Sequence, residues 1–237
     1  MALIECNFTS KVLDLTTELI AILPEKSIGS NKKYPVLYLL HGLSGGHKDW
    51  QRRTLIENYV RDKELVIIMP NVHRSFYTDM KNGYKYFTFV SEELPAVAKE
   101  FFPISDKRED TFVAGLSMGG FGAMKLALNH PEKFSKAASL SGALGMLNNM
   151  EKMEEYIKTN KDNPVPDNIT FQIEEVRNIF GSYEEMKDSC NDLLYVMDKN
   201  IAEGKERETV PEFIRYLYIA KGSAGELRTQ LIIAGKN

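Results

Sequence analysis

The sequence predicts an α/β fold, in which helices cover both faces of a mostly parallel sheet. Short apolar runs alternate with helical patterns through the first 145 residues, which is typical of βα units around such a sheet. A chain of 27.0 kDa can also bury roughly 70% of its extended surface, so one large core needs no metal or disulfide to support it. We therefore expect residues 1–237 to form a single domain.

Four apolar runs have the composition of buried strands, each bounded by proline, glycine or charged residues. They are residues 36–40, 66–69, 111–114 and 136–141. Residues 2–23 alternate more weakly between apolar and polar side chains, which predicts antiparallel strands at the edge of the sheet. Helical patterns cover residues 53–61 and 90–102, and Pro103 ends the second of these.

The composition changes after Gly145. Apolar side chains recur every three residues through 146–156, among charged neighbours, which predicts an amphipathic helix. A loop with two prolines at 160–167 precedes two further helical patterns, at 174–180 and 184–200. We expect residues 146–200 to form a helical insertion, or lid, over the sheet.

The charge and the cysteines exclude several classes of protein. With 30 basic and 33 acidic side chains the net charge is −3, which gives no electrostatic reason to expect a nucleic acid or an anionic membrane as partner. Cys6 and Cys190 match no metal-binding or redox spacing and are expected to be free thiols. The first residues lack the pattern of a secretory signal, and no apolar run is long enough to span a bilayer. A cytoplasmic protein is the expectation.

One segment carries the pattern of a catalytic nucleophile. Residues 111–122 contain Gly115, Ser117 and Gly119 in the spacing GxSxG, directly after a predicted strand and before a predicted helix. The chain must turn so sharply there that a side chain at either glycine would collide with backbone. The turn would expose the Ser117 hydroxyl and aim the backbone N–H of Met118 at the oxygen of an attacked carbonyl. The alternative is a glycine-rich turn without chemistry.

A second loop has the pattern of the partner oxyanion donor. The strand at 36–40 runs into His41, Gly42 and Leu43, followed by two more glycines. A backbone N–H from the loop after this strand usually completes an oxyanion hole, and we assign it to Leu43. His41 could be a catalytic base, but a structural role in shaping this loop is the prediction.

Four ordered motifs resemble the esterase D family, and the bacterial tributyrin (short-chain) esterases most. They are LLHGLSGGHKDW at 39–50, RSFYTDM at 74–80, GLSMGGFGAMKLALNHPEKF at 115–134 and SLSGAL at 139–144. The resemblance extends over about residues 1–214 and implies an α/β-hydrolase fold. It also implies a small-molecule ester as substrate, a Ser-Asp-His triad and no cofactor, with Ser117 as nucleophile and Leu43 and Met118 as oxyanion donors. The family also includes S-formylglutathione hydrolases and esterases of acylated polysaccharides, and the sequence does not choose between these activities.

The chain departs from this family where the rest of the triad is expected. A triad of this fold follows the order Ser, Asp or Glu, His, but only His130 of the four histidines follows Ser117. A helix of the predicted length would place His130 about 20 Å from Ser117. A base relocated to His73 is an alternative, because the loop after the strand at 66–69 belongs to the catalytic edge of the sheet.

The C-terminal residues are the second departure. Residues 210–214 resemble the start of a late strand of the family, whereas 215–237 form an atypical tail with no aspartate and no histidine. We interpret the chain as a truncated or frame-shifted esterase with its native frame lost near Ile214, and expect the C-terminal end of the fold to be incomplete. The rival from another class is a non-catalytic α/β-hydrolase module that binds small ligands or a partner.

Overall fold

A computed structural model describes residues 1–25, 31–160 and 167–206 of the chain. Its sheet has the strand order β1-β2-β4-β3-β5-β6. Strands β3 to β6 are parallel, whereas β1 and β2 form an antiparallel hairpin joined to β4. The strands are β1 (Ala2–Ser10), β2 (Leu15–Leu23), β3 (Val36–Leu40), β4 (Val66–Pro70), β5 (Thr111–Leu116) and β6 (Lys136–Leu140). This sheet confirms the predicted α/β class and the four predicted parallel strands.

Helices connect these strands and follow the last of them. They are α1 (Asp49–Arg53), α2 (Ile56–Val60), α3 (Tyr86–Thr88), α4 (Leu94–Phe101), α5 (Met118–Asn129), α6 (Met146–Thr159), α7 (Asp167–Phe180), α8 (Tyr183–Met186) and α9 (Leu193–Glu206), with a π-helical turn at Phe89–Glu93 and a 3₁₀ turn at Arg108–Asp110. Within the described ranges, no helix is both long enough and apolar enough to cross a membrane.

The hairpin strand β2 lies inside the sheet, not at its edge. It pairs with β1 on one side and with β4 on the other, so of the two hairpin strands β1 alone lies at an edge of the sheet. Residues Ile20, Ala21 and Ile22 are completely buried because helices or loops cover both faces of β2. The sequence prediction of two edge strands was therefore wrong for β2, since a strand buried on both faces loses the alternation that marks a half-exposed one.

The helical pattern at 53–61 forms two short helices. The chain is extended at Thr54, which ends α1, and α2 begins only at Ile56. The pattern at 184–200 is also interrupted, because Asp188 adopts a left-handed backbone conformation with φ 55°. Asp192 then accepts hydrogen bonds from the N–H groups of Asp188 and Tyr195 and so begins α9. The predictions of one continuous helix at 53–61 and one at 184–200 were therefore wrong, because the spacing of apolar residues does not show where a helix is interrupted.

The helix predicted at 90–102 begins earlier and contains an unusual turn. Pro95 stands in the first turn of α4 and has no N–H to offer the carbonyl of Ser91 four residues before it. The π-helical turn widens the backbone at this point. The Nζ atom of Lys133 donates to the Ser91 carbonyl at 3.0 Å, so this buried acceptor has a partner.

The core lies on both faces of the sheet. The larger cluster surrounds α5, most of whose residues are buried, and it extends into the helices after β6. The smaller cluster packs against the other face beneath α2 and consists of Ile20, Ile22, Leu39, Val60, Ile67 and Met69. Helix α5 is therefore the central helix of the fold, and its first residue follows Ser117 directly.

One buried lysine stands in this central helix. Lys125 has no solvent-exposed surface, and its Nζ atom donates to the Tyr77 carbonyl and the Thr78 hydroxyl, each at 3.1 Å. The same atom lies 4.2 Å from the centroid of the Phe87 ring. Burial lowers the pKa of Lys125 to about 8, because the charged form loses its hydration.

Glu93 connects the β1–β2 hairpin to the π-helical turn. Its carboxylate accepts hydrogen bonds from the N–H groups of Lys11 at 2.7 Å and Val12 at 3.3 Å. It also accepts from the hydroxyl of Ser10, which in turn accepts the N–H of Leu13 at 2.9 Å. One carboxylate thus accepts hydrogen bonds from two backbone N–H groups and one hydroxyl of the hairpin turn.

We predict that Glu93→Ala lowers the free energy of unfolding by about 1–3 kcal/mol, because several donors lose a charged acceptor at once. Urea unfolding followed by circular dichroism measures this change. The neighbouring Glu92→Ala is the matched control, since Glu92 forms only an ion pair with Lys133 at the surface, and such pairs contribute about 0–1 kcal/mol. Equal effects of the two substitutions would contradict the role of Glu93.

We predict that Lys125→Met changes how stability depends on pH. Because the pKa of Lys125 falls from its ordinary 10.5 to about 8 in the folded chain, the unfolded chain binds more protons between these two values. The free energy of unfolding contributed by this group therefore rises with pH across that window and is lost below it. Urea unfolding at several pH values should show a shallower rise in Lys125→Met than in the exposed control Lys152→Met, and equal slopes would refute the prediction.

Candidate active site

The backbone at Ser117 forms a strained turn between β5 and α5. Ser117 has φ 55° and ψ −114°, a conformation that a non-glycine residue holds only when its surroundings enforce it. Its N–H donates to the Leu140 carbonyl at 2.8 Å, and its own carbonyl accepts the N–H of Phe121 at 3.0 Å. These bonds fix the turn between the neighbouring strand and the first turn of α5.

The two glycines beside the serine are required by close backbone contacts. A β-carbon at Gly115 would lie 2.2 Å from the carbonyl oxygen of Gly119. A β-carbon at Gly119 would lie 2.4 Å from the carbonyl oxygen of Leu40 at the end of β3. The predicted collisions at both glycines are confirmed, and they show that α5 starts in direct contact with the adjacent strand.

The loop after β3 lies beside this serine. A β-carbon at Gly42 would stand 3.8 Å from Cβ of Ser117. Leu43 and Ser117 line one pocket of about 290 Å³, together with Asp49 and Trp50 of α1. Met118 is the first residue of α5, where backbone N–H groups have no partner inside the helix. Ser117 and the loop after β3 therefore line one cavity, and the oxyanion roles of Leu43 and Met118 stay predictions.

His41 lies in this loop and is almost fully buried. Its Nε2 accepts the N–H of Val72 at 3.1 Å, so its Nδ1 carries the proton and donates to the Gly42 carbonyl at 2.8 Å. Burial lowers the pKa of His41, which keeps the ring neutral. Both nitrogens bind main-chain groups, as expected of a residue that shapes the loop, and neither is free to act as a base.

None of the other three histidines lines the pocket of Ser117. His130 caps the far end of α5 and stacks on Phe87 with ring centroids 5.6 Å apart. His47 stands 3.5 Å from Glu18. His73 is exposed and packs edge-on against Tyr86, in a different pocket from Ser117. Among the described residues, no hydrogen bond reaches the Ser117 hydroxyl, so the structure does not assemble a triad around it.

Sequence reasoning missed the residue that supports the loop from below. The Tyr77 hydroxyl donates to the His41 carbonyl at 3.0 Å, and its ring lies where a side chain at Gly122 would be. The Tyr77 carbonyl accepts from the buried Lys125. Hydrogen bonds thus connect Lys125 of α5 to Tyr77, and Tyr77 to His41 at the start of the Gly42–Leu43 loop. The one signal in the sequence was the position of Tyr77 inside the motif at 74–80.

A larger pocket adjoins the first. It has a volume of about 820 Å³ and shares Leu43, Ser44 and Gly45 with the pocket of Ser117. Its other walls come from the loop after β4 and from α7. In the part of the chain that the structure describes, no group of three or more histidine, cysteine, aspartate or glutamate side chains is arranged to hold a metal ion.

Comparisons with known proteins relate most of the chain to esterases. Residues 10–169 match the model of the family described as "Putative esterase". An acetyl esterase of Caldicellulosiruptor saccharolyticus is 37% identical over 153 residues, which is 61% of this chain and 57% of that protein. The chain therefore spans little more than half the length of this relative.

Two solved structures from Staphylococcus aureus superimpose on the chain, each covering 85% of it. The fluorophosphonate-binding serine hydrolase FphF is 35% identical, with 74% of its own chain covered and a TM-score of 0.71. The S-formylglutathione hydrolase FrmB is also 35% identical, with 74% of its own chain covered and a TM-score of 0.68.

The C-terminal segment matches a second family. Residues 196–237 match the model of the 23S rRNA-intervening sequence protein, and the boundary predicted near Ile214 falls inside this match. A segment translated out of frame would have no reason to resemble a protein family, so the match speaks against a frame shift. The late strand predicted at 210–214 and the tail at 215–237 lie outside the described residues.

The sheet order, the turn at Ser117 and the match over residues 10–169 agree with one another. The matched residues make up more than half of the chain, and the superimposed structures are of a serine hydrolase and an S-formylglutathione hydrolase. The chain belongs to this esterase family and has an α/β-hydrolase fold.

Proposed function

We propose that the chain is a serine carboxylesterase that hydrolyses short-chain acyl esters, of the tributyrin esterase type, through an acyl-Ser117 intermediate. The observation that carries this proposal is that Ser117, on a strained turn directly before α5, and the Gly42–Leu43 loop line one pocket. Serine nucleophiles of this fold stand on the same kind of turn. The small volume of the pocket, about 290 Å³, favours a short acyl group.

The proposed reaction has two steps. The Ser117 hydroxyl attacks the acyl carbon, loses its proton to a base, and forms a tetrahedral intermediate whose negative oxygen accepts hydrogen bonds from the N–H groups of Leu43 and Met118. The intermediate expels the alcohol, which takes up a proton, and leaves the acyl group on Ser117. Water then attacks this ester, and release of the carboxylic acid returns the serine.

Among the residues that the structure describes, no base for this scheme is hydrogen-bonded to Ser117. His41 is committed to main-chain hydrogen bonds, and no histidine follows His130 in the sequence. Without an imidazole the serine hydroxyl keeps its proton at neutral pH and is a poor nucleophile. Enzymes that lose a triad member retain about 10³–10⁴-fold catalysis over water, and we propose a rate of this order here.

This missing base is the observation that favours the second candidate, a non-catalytic module of the same fold that binds small ligands or a partner. The two candidates differ in whether Ser117 forms a covalent acyl intermediate. S-formylglutathione and acylated polysaccharides are further substrates for the catalytic candidate, supported by the resemblance to FrmB and to a ferulic acid esterase that is 26% identical.

The location and partners are also proposals. Cys6 and Cys190 are free thiols, which supports a reducing, cytoplasmic environment. The net charge of −3 supports a small-molecule substrate over a nucleic acid or a membrane surface.

The test supplies the missing base from solution. We expect the purified chain to hydrolyse p-nitrophenyl acetate and butyrate slowly through acyl-Ser117, and Ser117→Ala to lower this rate further toward the uncatalysed background. Added imidazole should raise the rate of the unmodified chain about ten-fold over that of Ser117→Ala, since general base catalysis is restored. Mass spectrometry should then find the butyryl group on the peptide that contains Ser117.

Ser141→Ala is the matched control, because Ser141 also has a left-handed backbone, with φ 48°, but lies outside the strand–helix turn. This variant should respond to imidazole like the unmodified chain. An identical imidazole response in the unmodified chain and in Ser117→Ala, with no acylated peptide, would favour the non-catalytic module.

A further inference from the structure

The larger pocket continues the cavity at Ser117. Leu43, Ser44 and Gly45 line both pockets, so an ester held with its carbonyl oxygen at Leu43 would extend one arm toward the larger pocket. At about 820 Å³ it has nearly three times the volume of the pocket around Ser117. It is therefore large enough for a ring with substituents.

One wall of this pocket is aromatic. Tyr84 is half exposed, and its ring meets Tyr86 edge-on, with centroids 6.1 Å apart. The Tyr84 carbonyl accepts the N–H groups of Met80 and Tyr86, each at 3.1 Å, so the backbone that carries the ring is fixed. Burial raises the pKa of Tyr86 to about 12, so its phenol is uncharged. A flat, neutral surface is thus available for stacking.

The charges of this pocket disfavour an anion. Its lining includes one arginine, Arg74, whose guanidinium binds Glu175 through two hydrogen bonds. Glu174 is exposed beside it and adds a second carboxylate to the lining. The side-chain amides of Asn82 and Asn178 bind each other at 3.1 Å and add no charge. In the pocket of Ser117, the guanidinium of Arg53 lies 3.5 Å from the carboxylate of Asp49, so this arginine is also paired with an acidic side chain.

Resting on the proposed esterase function, we propose that the larger pocket binds an uncharged, ring-bearing arm of the ester and discriminates against arms that carry carboxylates. The ring stacks on Tyr84, and Glu174 repels an anionic substituent. Glutathione carries carboxylates, so this charge pattern places neutral ring-bearing esters ahead of glutathione thioesters as substrates.

The experiment compares two ligands of the same shape and different charge. 4-Acetoxybenzamide is neutral and 4-acetoxybenzoate is an anion, and both are titrated by calorimetry into the full chain with Ser117→Ala, which excludes turnover through Ser117. We expect the amide to bind several-fold more tightly, and the difference to shrink as salt screens the carboxylates. Tyr84→Ala should weaken amide binding by about five-fold, whereas Tyr84→Phe should preserve it.

Charge reversal tests the carboxylate directly. Glu174→Lys should bring the affinity for 4-acetoxybenzoate up to or above that for the amide, because the repelling charge becomes an attracting one. Glu151→Lys makes the same change on the exposed surface of α6, outside the pocket lining, and should leave the ratio of the two affinities unchanged.

Three results would overturn this assignment: binding of neither ligand, equal or tighter binding of the anion by the parent chain, or no effect of Tyr84→Ala. None of these results bears on whether Ser117 becomes acylated, which the imidazole experiment measures separately. Failure of the pocket assignment and failure of the esterase proposal are thus distinguishable.

Discussion

The structure depends on the direct contact between the start of α5 and the end of β3. Gly119 stands against the carbonyl of Leu40 with no room for a β-carbon, and this approach forces Ser117 into its left-handed conformation. The same contact brings the loop at Gly42 and Leu43 to the serine. The positions of Ser117 and of the loop at Leu43, and the pocket that both line, are therefore consequences of one steric constraint, which the buried helix α5 holds in place.

The parts of the site that the sequence predicted are those set by local sterics. The spacing around Ser117 predicts the turn because glycine is the residue that fits there, and the apolar runs predict the parallel strands because both faces of those strands are buried. The prediction of one helix at 53–61 was wrong because the spacing of the apolar residues does not show the break at Thr54. Tyr77 and Lys125 were missed because their contacts join residues far apart in sequence.

The esterase part and the C-terminal segment have different relatives, and this explains the departure from the family. The matched esterase region ends at residue 169, and the second match begins at residue 196. The resemblance around Ser117 lies within the esterase match, whereas residues 196–237, which match another family, contain no histidine. Sequence reasoning identified the absence but not the origin of the segment, since it compared the segment with the esterase pattern alone.

The hydrogen bonds of His41 also limit how such a chain could regain a catalytic base. The imidazole of His41 looks available as a base for Ser117. Both of its nitrogens, however, already form hydrogen bonds with the main-chain groups that shape the cavity. Redirecting the ring toward Ser117 would release the Gly42 carbonyl and the Val72 amide, and the loop would lose its form as the base was gained. Such a chain cannot recover proton transfer by reorienting His41 without losing the shape of this loop, so the base would have to come from another residue.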